Sequence, residues 1–265
     1  MDSANLFSST GEHCVAITRI AQRHWHALQD DRVVGRGEVF YRPDGRMFLS
    51  IDAWHGAVFD QLADTMLADL PRPLYTVVDE ADLDLLLGWE GAGFAPRRRE
   101  WEYVMPTDPA ITGLGSAPPP HGVTTLTVGT AEEGPLRALD RVIRDEIEAS
   151  VGWQQMPAEV LSGPHGPARP DPAKYAVAAC SDQYVGLVRV APLPRQPRIG
   201  LIAVRSDQRR RGIARALLAE VLGWAHRRGI ATASADLNQS NGAAIALFEG
   251  IGARPTGSNL ELVLR

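Results

Sequence analysis

The stretch IGLIAVRSDQRRRGIARALLAEVLGWAHRRG, residues 199–229, holds two patterns joined by a charged turn. Residues 198–204 are nearly all apolar, as in a strand covered on both faces. From Ile213, the residues Leu217, Val221 and Trp224 recur at helical spacing over 213–228, and Gly229 suits the C-terminal cap. Between strand and helix stands QRRRGIA, residues 208–214. A helix N-terminus offers unpaired N–H groups and the positive end of the helix dipole, and both favour an anion. Gly212 permits close backbone approach, and Arg209, Arg210 and Arg211 add positive charge. The lysine and hydroxyl of a triphosphate-cleaving loop are missing, so the stretch predicts a pyrophosphate that is held but not cut.

Composition narrows the setting. A chain of 265 residues suits two domains of moderate size. Hydrophobic residues at 45% and charged residues at 22% are those of a soluble globular protein. No apolar run reaches membrane-spanning length. The opening MDSANLFSST has neither the basic lead nor the apolar core of a signal peptide. Cys14 and Cys180 are too few and too far apart for a disulfide framework. A cytoplasmic location with reduced thiols is expected. The net charge of -5 argues against a nucleic-acid partner, which demands a basic footprint. His24 and His26 alternate in HWH without a third ligand, so no metal site is expected.

Internal similarity sets the domain plan. Residues 106–122, PTDPAITGLGSAPPPHG, read as a Pro/Gly-rich linker between a domain at 1–105 and another at 123–265. WEGAGFAP at 89–96 parallels FEGIGARP at 248–255, and WHALQDDRVVGRGEV at 25–39 parallels AVAACSDQYVGLVRV at 176–190. Two matches in the same order point to duplication. The second half reads as strand 124–128, helix 133–148, hairpin 175–179 and 184–191, strand 198–204, helix 213–228, strand 232–237, short helix 243–250 and strand 259–264. The first half repeats that order without the leading strand and helices. The fold class is α/β (α+β): two domains, each a mixed, mostly antiparallel sheet flanked by helices.

Strand, RRRGIA (209–214), helix, strand and then NGAAIALFEGIG (241–252) resembles the GNAT acyltransferase superfamily, which uses acetyl-CoA. The family's R/Q-x-x-G-x-G/A signature falls on Arg209, Gly212 and Ala214. The resemblance implies that backbone N–H groups of Arg209, Arg210, Arg211, Gly212, Ile213 and Ala214 hold the CoA pyrophosphate. Ile202, Ala203 and Val204 would pair with the pantetheine arm as though it were another strand. Asn241 would contact the pantetheine, cap the short helix, or do both. The first half has DAWHGAVFD (52–60) at the matching place, where Asp52 and Asp60 would repel a pyrophosphate, and Asp82 aligns with Asn241. The N-terminal domain is therefore expected to be a degenerate copy without the CoA signature.

The family's usual catalytic groups are less visible. Its frequent tyrosine acid is Phe248 here, and its glutamate on the strand before the cradle is replaced near Gly200. Asp236 is the candidate base, with Glu146 and Glu148 as further candidates; each also reads as an ordinary structural or solvated carboxylate. The long segment 151–172 is expected to form the acceptor loop, with Trp153, Met156 and His165 lining it. The resemblance implies an acetyl-CoA-dependent N-acyltransferase that moves an acetyl group to a small-molecule amine by direct attack in a ternary complex. It would act as a monomer or homodimer, without metal. Acetylation of a protein or peptide amine, and a non-catalytic CoA-binding module, are the alternatives.

Overall fold

The computed structural model describes residues 15–115, 119–156, 161, 169–191 and 195–265. The first segment runs β1 (Ala16–Ala21), β2 (His24–Gln29), β3 (Arg32–Tyr41), β4 (Met47–Ala53), α1 (Gly56–Asp69), β5 (Leu74–Asp79), α2 (Leu83–Gly91) and β6 (Ala95–Pro106). After the short α3 (Pro109–Thr112) come β7 (Val123–Leu126), α4 (Glu133–Glu148), β8 (Tyr175–Cys180), β9 (Gln183–Ala191) and β10 (Arg198–Val204). They are followed by α5 (Ile213–His226), β11 (Thr232–Asn238), α6 (Gly242–Glu249) and β12 (Arg254–Leu264).

The two segments carry matching local devices. Each β-hairpin turns through two residues at positive φ, Asp30 and Asp31 in one and Ser181 and Asp182 in the other, as tight hairpin turns require. Asp82 caps α2 by accepting from Leu85 N at 3.1 Å, and Asn241 caps α6 by accepting from Ala244 N at 3.1 Å. Gly93 and Gly252 then end the two helices at φ +92° and +83°. One expectation is corrected: the first half does have a leading strand, β1, which pairs antiparallel with β2. Only Ile17 of its six residues escapes full exposure, so AITRIA carries no alternation to mark it as a strand. The counterpart of α4 is what the segment lacks, because β1 runs directly into β2.

All twelve strands join one sheet in the order β1-β2-β3-β4-β5-β12-β6-β11-β10-β9-β8-β7. Among the described residues, only β4/β5 and β10/β11 pair in parallel. The closing strands are exchanged. β12, from the end of the chain, lies between β5 and β6, while β6 lies between β12 and β11. Leu260, Leu262 and Leu264 of β12 enter the core of Trp25, Leu62, Met66 and Trp89 beneath α1 and α2. Tyr103 and Met105 of β6 enter the core of Leu217, Leu218 and Phe248 beneath α5 and α6. Withdrawing β12 would expose three buried leucines, at about 1.5–3 kcal/mol each, so the segments hold each other folded. The stretch 106–122 contains α3 and buries Thr107, Thr112 and Leu114.

The helices divide between the two faces. α4 packs on Val177, Leu187 and Leu201, whereas α5 packs on Ala176, Ala178, Val188 and Ile199. Alternate residues of a strand point to opposite faces, so α4 covers one side and the other helices the reverse. The first segment has no helix on the α4 side among the described residues. Phe40, Phe48 and Tyr75 stack there with centroids 5.7 and 5.3 Å apart, and the Arg42 guanidinium covers Phe48 at 3.8 Å. The buried Glu261 carboxylate accepts from Arg42 and Arg46 at 3.0 Å, from Arg98 at 3.3 Å, and from Arg97.

Candidate functional site

The site begins where two parallel strands part. β10 and β11 pair only through Arg198↔Ser234 and Ile199↔Ala235. Beyond that point β10 keeps its bonds to β9, with Ile202 opposite Val188, Ala203 opposite Leu187 and Val204 opposite Gly186. Its other edge has no strand partner among the described residues. Backbone N–H and C=O groups on such an edge can take an extended chain as an added strand. The equivalent gap in the first segment opens after Met47↔Leu74 and Phe48↔Tyr75. There the buried Thr76 hydroxyl donates to the Leu49 carbonyl at 3.0 Å and bridges it. Register puts Thr76 one residue past the pairing, as Asp236 is in the second segment.

The open edge leads into the charged turn. A 3-10 turn at Ser206–Gln208 precedes Arg210 at φ +63° and Gly212 at φ +83°, and α5 then starts at Ile213. A non-glycine residue at positive φ costs of order 1 kcal/mol or more and persists where its surroundings enforce it. Turns that combine right- and left-handed residues make consecutive N–H groups converge on an anion. Gly212 caps the helix without a side-chain bond, so the N–H groups of Ile213 and Ala214 are not used by the helix itself. Among the described residues, a Cβ at Gly212 would meet only Pro120 Cγ, at 3.7 Å. A cavity of about 220 Å³ lies beside it, lined by Leu114, Pro120, Arg211, Arg215 and Ala216.

Glu146 braces this turn. Its carboxylate accepts from Ser206 N at 3.0 Å, Ser206 Oγ at 2.9 Å and an Arg209 guanidinium nitrogen at 3.0 Å. Arg209 Nε also donates to the Val204 carbonyl at 3.1 Å, tying the turn to the end of β10. Glu148 accepts from Trp153 N at 3.2 Å. Asn241 uses its carbonyl oxygen on the α6 cap.

On the α4 face, Asp236 accepts from Arg198 at 2.7 Å. Phe248 is fully buried and carries no proton to give. On the opposite face the Tyr103 hydroxyl donates to Glu249 at 3.0 Å; burial, and then that bond, push the phenol above its ordinary pKa. Sequence reasoning missed the contribution of β6. Asp236 stands opposite Glu102, and Asn238 opposite Glu100, and directly paired residues share a face. Arg98 bonds Glu100 at 3.2 Å and donates to the carbonyls of Gln155 at 2.8 Å and Met156 at 3.4 Å. Asn238 Nδ2 reaches Gln155 Oε1 at 3.3 Å. The segment after α4 is thereby drawn onto this face, with Trp153 Nε1 donating to the Arg144 carbonyl at 3.1 Å. Burial raises the Glu100 carboxyl above the usual range; Asp236 and Glu261 add to the rise, and Arg98 and Arg42 oppose it.

The remaining candidates lie apart from this face or outside the description. His24 sits 3.6 Å from Glu38 on β2, and Cys180 ends β8 half-buried. Among the described residues no three His, Cys, Asp or Glu gather as a metal site, and no helix is long and apolar enough to cross a membrane. His165 and Cys14 lie outside the described residues.

Residues 141–253, from α4 to the start of β12, match the model of the acetyltransferase (GNAT) family. The chain is 45% identical over 51 residues to the [Ribosomal protein bS18]-alanine N-acetyltransferase of Escherichia coli (strain K12). That match takes in 19% of this chain and spans about a third, 34%, of the length of the curated relative. A GCN5-related N-acetyltransferase from Sphaerobacter thermophilus superposes with a TM-score of 0.62 at 17% identity, over 93% of this chain and 82% of that one. A tandem GNAT protein from the clavulanic acid biosynthesis pathway gives 0.62 at 13% identity, over 91% and 82%. At these identities the likeness is one of fold. The open strand edge, the charged turn and the α5 N-terminus all fall inside residues 141–253, the part of the chain that matches the acetyltransferase (GNAT) family.

Proposed function

We propose that the protein is an acetyl-CoA-dependent N-acetyltransferase with one CoA site, acting on the amine of a small molecule. The observation that carries this is the unpaired β10 edge running into a turn with Arg210 and Gly212 at positive φ, directly before α5. The residues fit the donor. Backbone groups of Ile202, Ala203 and Val204 pair with the pantetheine arm, and N–H groups of Arg209 to Ala214 hold the pyrophosphate, while Asn241 orders the neighbouring turn. The acceptor enters on the α4 face, where Arg98 and Asn238 hold the segment around Gln155. Direct attack in a ternary complex then draws on proximity and on backbone donors. The thiol is a tolerable leaving group at a pKa of about 8.5, so Phe248 in place of a tyrosine does not forbid turnover.

In this reading 1–105 and 123–265 are two copies of one unit joined through 106–122, and the first copy has no CoA site. Its gap is bridged by Thr76 and Leu49, and exposed Trp54 with His55 occupies the place of the arginine turn. A second reading, acetylation of a peptide N-terminus, is favoured by the stretch shared with the ribosomal-protein alanine acetyltransferase. Thiol release from acetyl-CoA, measured with spermidine, glucosamine, free amino acids and a hexapeptide beginning with alanine, separates them. Turnover with the hexapeptide alone would replace the small-molecule reading. CoA binding without turnover on any acceptor would leave a non-catalytic binding module.

A further inference from the structure

We infer that Glu100, delivered by β6 from the N-terminal segment, receives the proton of the acceptor ammonium. The inference rests on the acetyltransferase reading and extends it: the first segment would contribute a reacting group to the site of the second. Three placements carry it. First, the register Asn238↔Glu100 and Asp236↔Glu102 sets Glu100 on the α4 face, across β11 from the β10–β11 opening, the face from which an acceptor reaches a thioester lying along β10. Second, two rival carboxylates near the opening are engaged elsewhere. Asp236 is held by Arg198 at 2.7 Å, and Glu146 by Ser206 and Arg209. Third, Arg98 grips both Glu100 and the carbonyls of Gln155 and Met156, so the carboxylate and the residues that follow α4 share one anchor.

The surroundings suit a proton acceptor. Glu100 is faced by Arg98 and Glu102 on its own strand, Asp236 on β11, Arg198 beyond it on β10, Glu261 on β12 and Arg42 after β3. Burial and the two nearby carboxylates favour its protonated form more than Arg98 and Arg42 disfavour it, so a proton taken from an ammonium is better held than by a solvated glutamate. The step balances. The ammonium gives one proton to a Glu100 oxygen, the freed nitrogen pair forms the C–N bond at the thioester carbonyl, and the C–S bond breaks to release a thiolate. The second proton leaving nitrogen ends on sulfur, and Glu100 returns its own to solvent.

The test is the pH profile of kcat/KM for the wild type, Glu100→Gln and Glu100→Asp, using the acceptor panel above, with the Kd of CoA measured in parallel. The expected result for Glu100→Gln is a loss of about 100-fold or more in kcat/KM and of the acid limb that wild type shows, with the Kd of CoA unchanged. Glu100→Asp should restore part of the rate and the limb. A thermal scan of each variant excludes misfolding as the cause. Glu100→Gln turnover within threefold of wild type, with the same acid limb, would overturn the role of Glu100 while leaving acetyl transfer intact. Wild-type protein that binds CoA but acetylates nothing in the panel would overturn the acetyltransferase reading and this inference with it.

Discussion

Glu261→Gln should be among the most destabilising isosteric changes in the protein. The carboxylate is 3% exposed and accepts from four guanidiniums, those of Arg42, Arg46, Arg97 and Arg98. Amidation leaves the shape but removes the charge on which all four converge. Arg46 would keep Asp44 at 2.6 Å, and Arg98 would keep Glu100 at 3.2 Å and Gln155. Arg42 and Arg97 would keep ring contacts at Phe48 and Tyr75. Two partly buried cations thus lose their compensation, and breaking a buried ion pair from one side costs about 3–5 kcal/mol. At roughly 2 cal/mol/K per residue, a chain of 265 residues unfolding as one unit loses about 7 °C in Tm for 4 kcal/mol. If only the first segment unfolded in the transition, the same energy would lower Tm about twice as far. Differential scanning calorimetry reads both the shift and the number of transitions. The exchange of β6 and β12 predicts one transition. Glu133→Gln, which breaks the exposed pair with Arg137, is the control and should cost under about 1 kcal/mol. A Glu261→Gln shift below about 2 °C would refute the ion-cluster argument.

Three further outcomes are expected. Thr76→Val should cost about 1–3 kcal/mol in chemical denaturation, because the Leu49 carbonyl is left buried without its donor; an unchanged midpoint would mean the bridge is incidental. Glu146→Gln should weaken CoA binding about tenfold, since the brace on Ser206 and Arg209 is charge-assisted; an unaltered Kd in a calorimetric titration would contradict this. Arg99, bonded to Glu80 at 2.6 Å, holds that carboxyl below its ordinary pKa, so its stabilisation is present above the unfolded carboxylate value and fades as pH falls through the lower folded one. Glu80→Gln should therefore cost up to about 1 kcal/mol at neutral pH and nothing once the native carboxyl is protonated, and a gap to wild type that widens on acidification would be the opposite sign.

The charged turn and the elements around it were legible because their signals are local. The apolar run of β10, the arginine turn and the periodic face of α5 are contiguous, and α4 has the bounds its apolar spacing predicts. The hairpins and helix caps were legible for the same reason, since turn and cap chemistry is written within a few residues. β1 was missed because an exposed edge strand needs no apolar alternation. The exchange of β6 and β12 was invisible. Strand alternation tells which residues share a face but not which strand lies alongside, and Glu100 meets Asn238 only through pairing across more than a hundred residues. Phe248 and Gly200 showed where familiar catalytic groups were missing. The face that carries Asp236 and Glu100 is assembled from both segments of the chain.

We propose one CoA cradle in the chain, built on Gly212. Calorimetric titration of CoA into wild type and Gly212→Glu tests it most directly, with thermal scans to show that both are folded. At Gly212, φ is +83° and a side chain would project beside Pro120, so glutamate adds strain and places negative charge where the pyrophosphate belongs. One CoA per wild-type chain and none for the variant are expected. Full-stoichiometry binding to folded Gly212→Glu, or two molecules bound per wild-type chain, would contradict it.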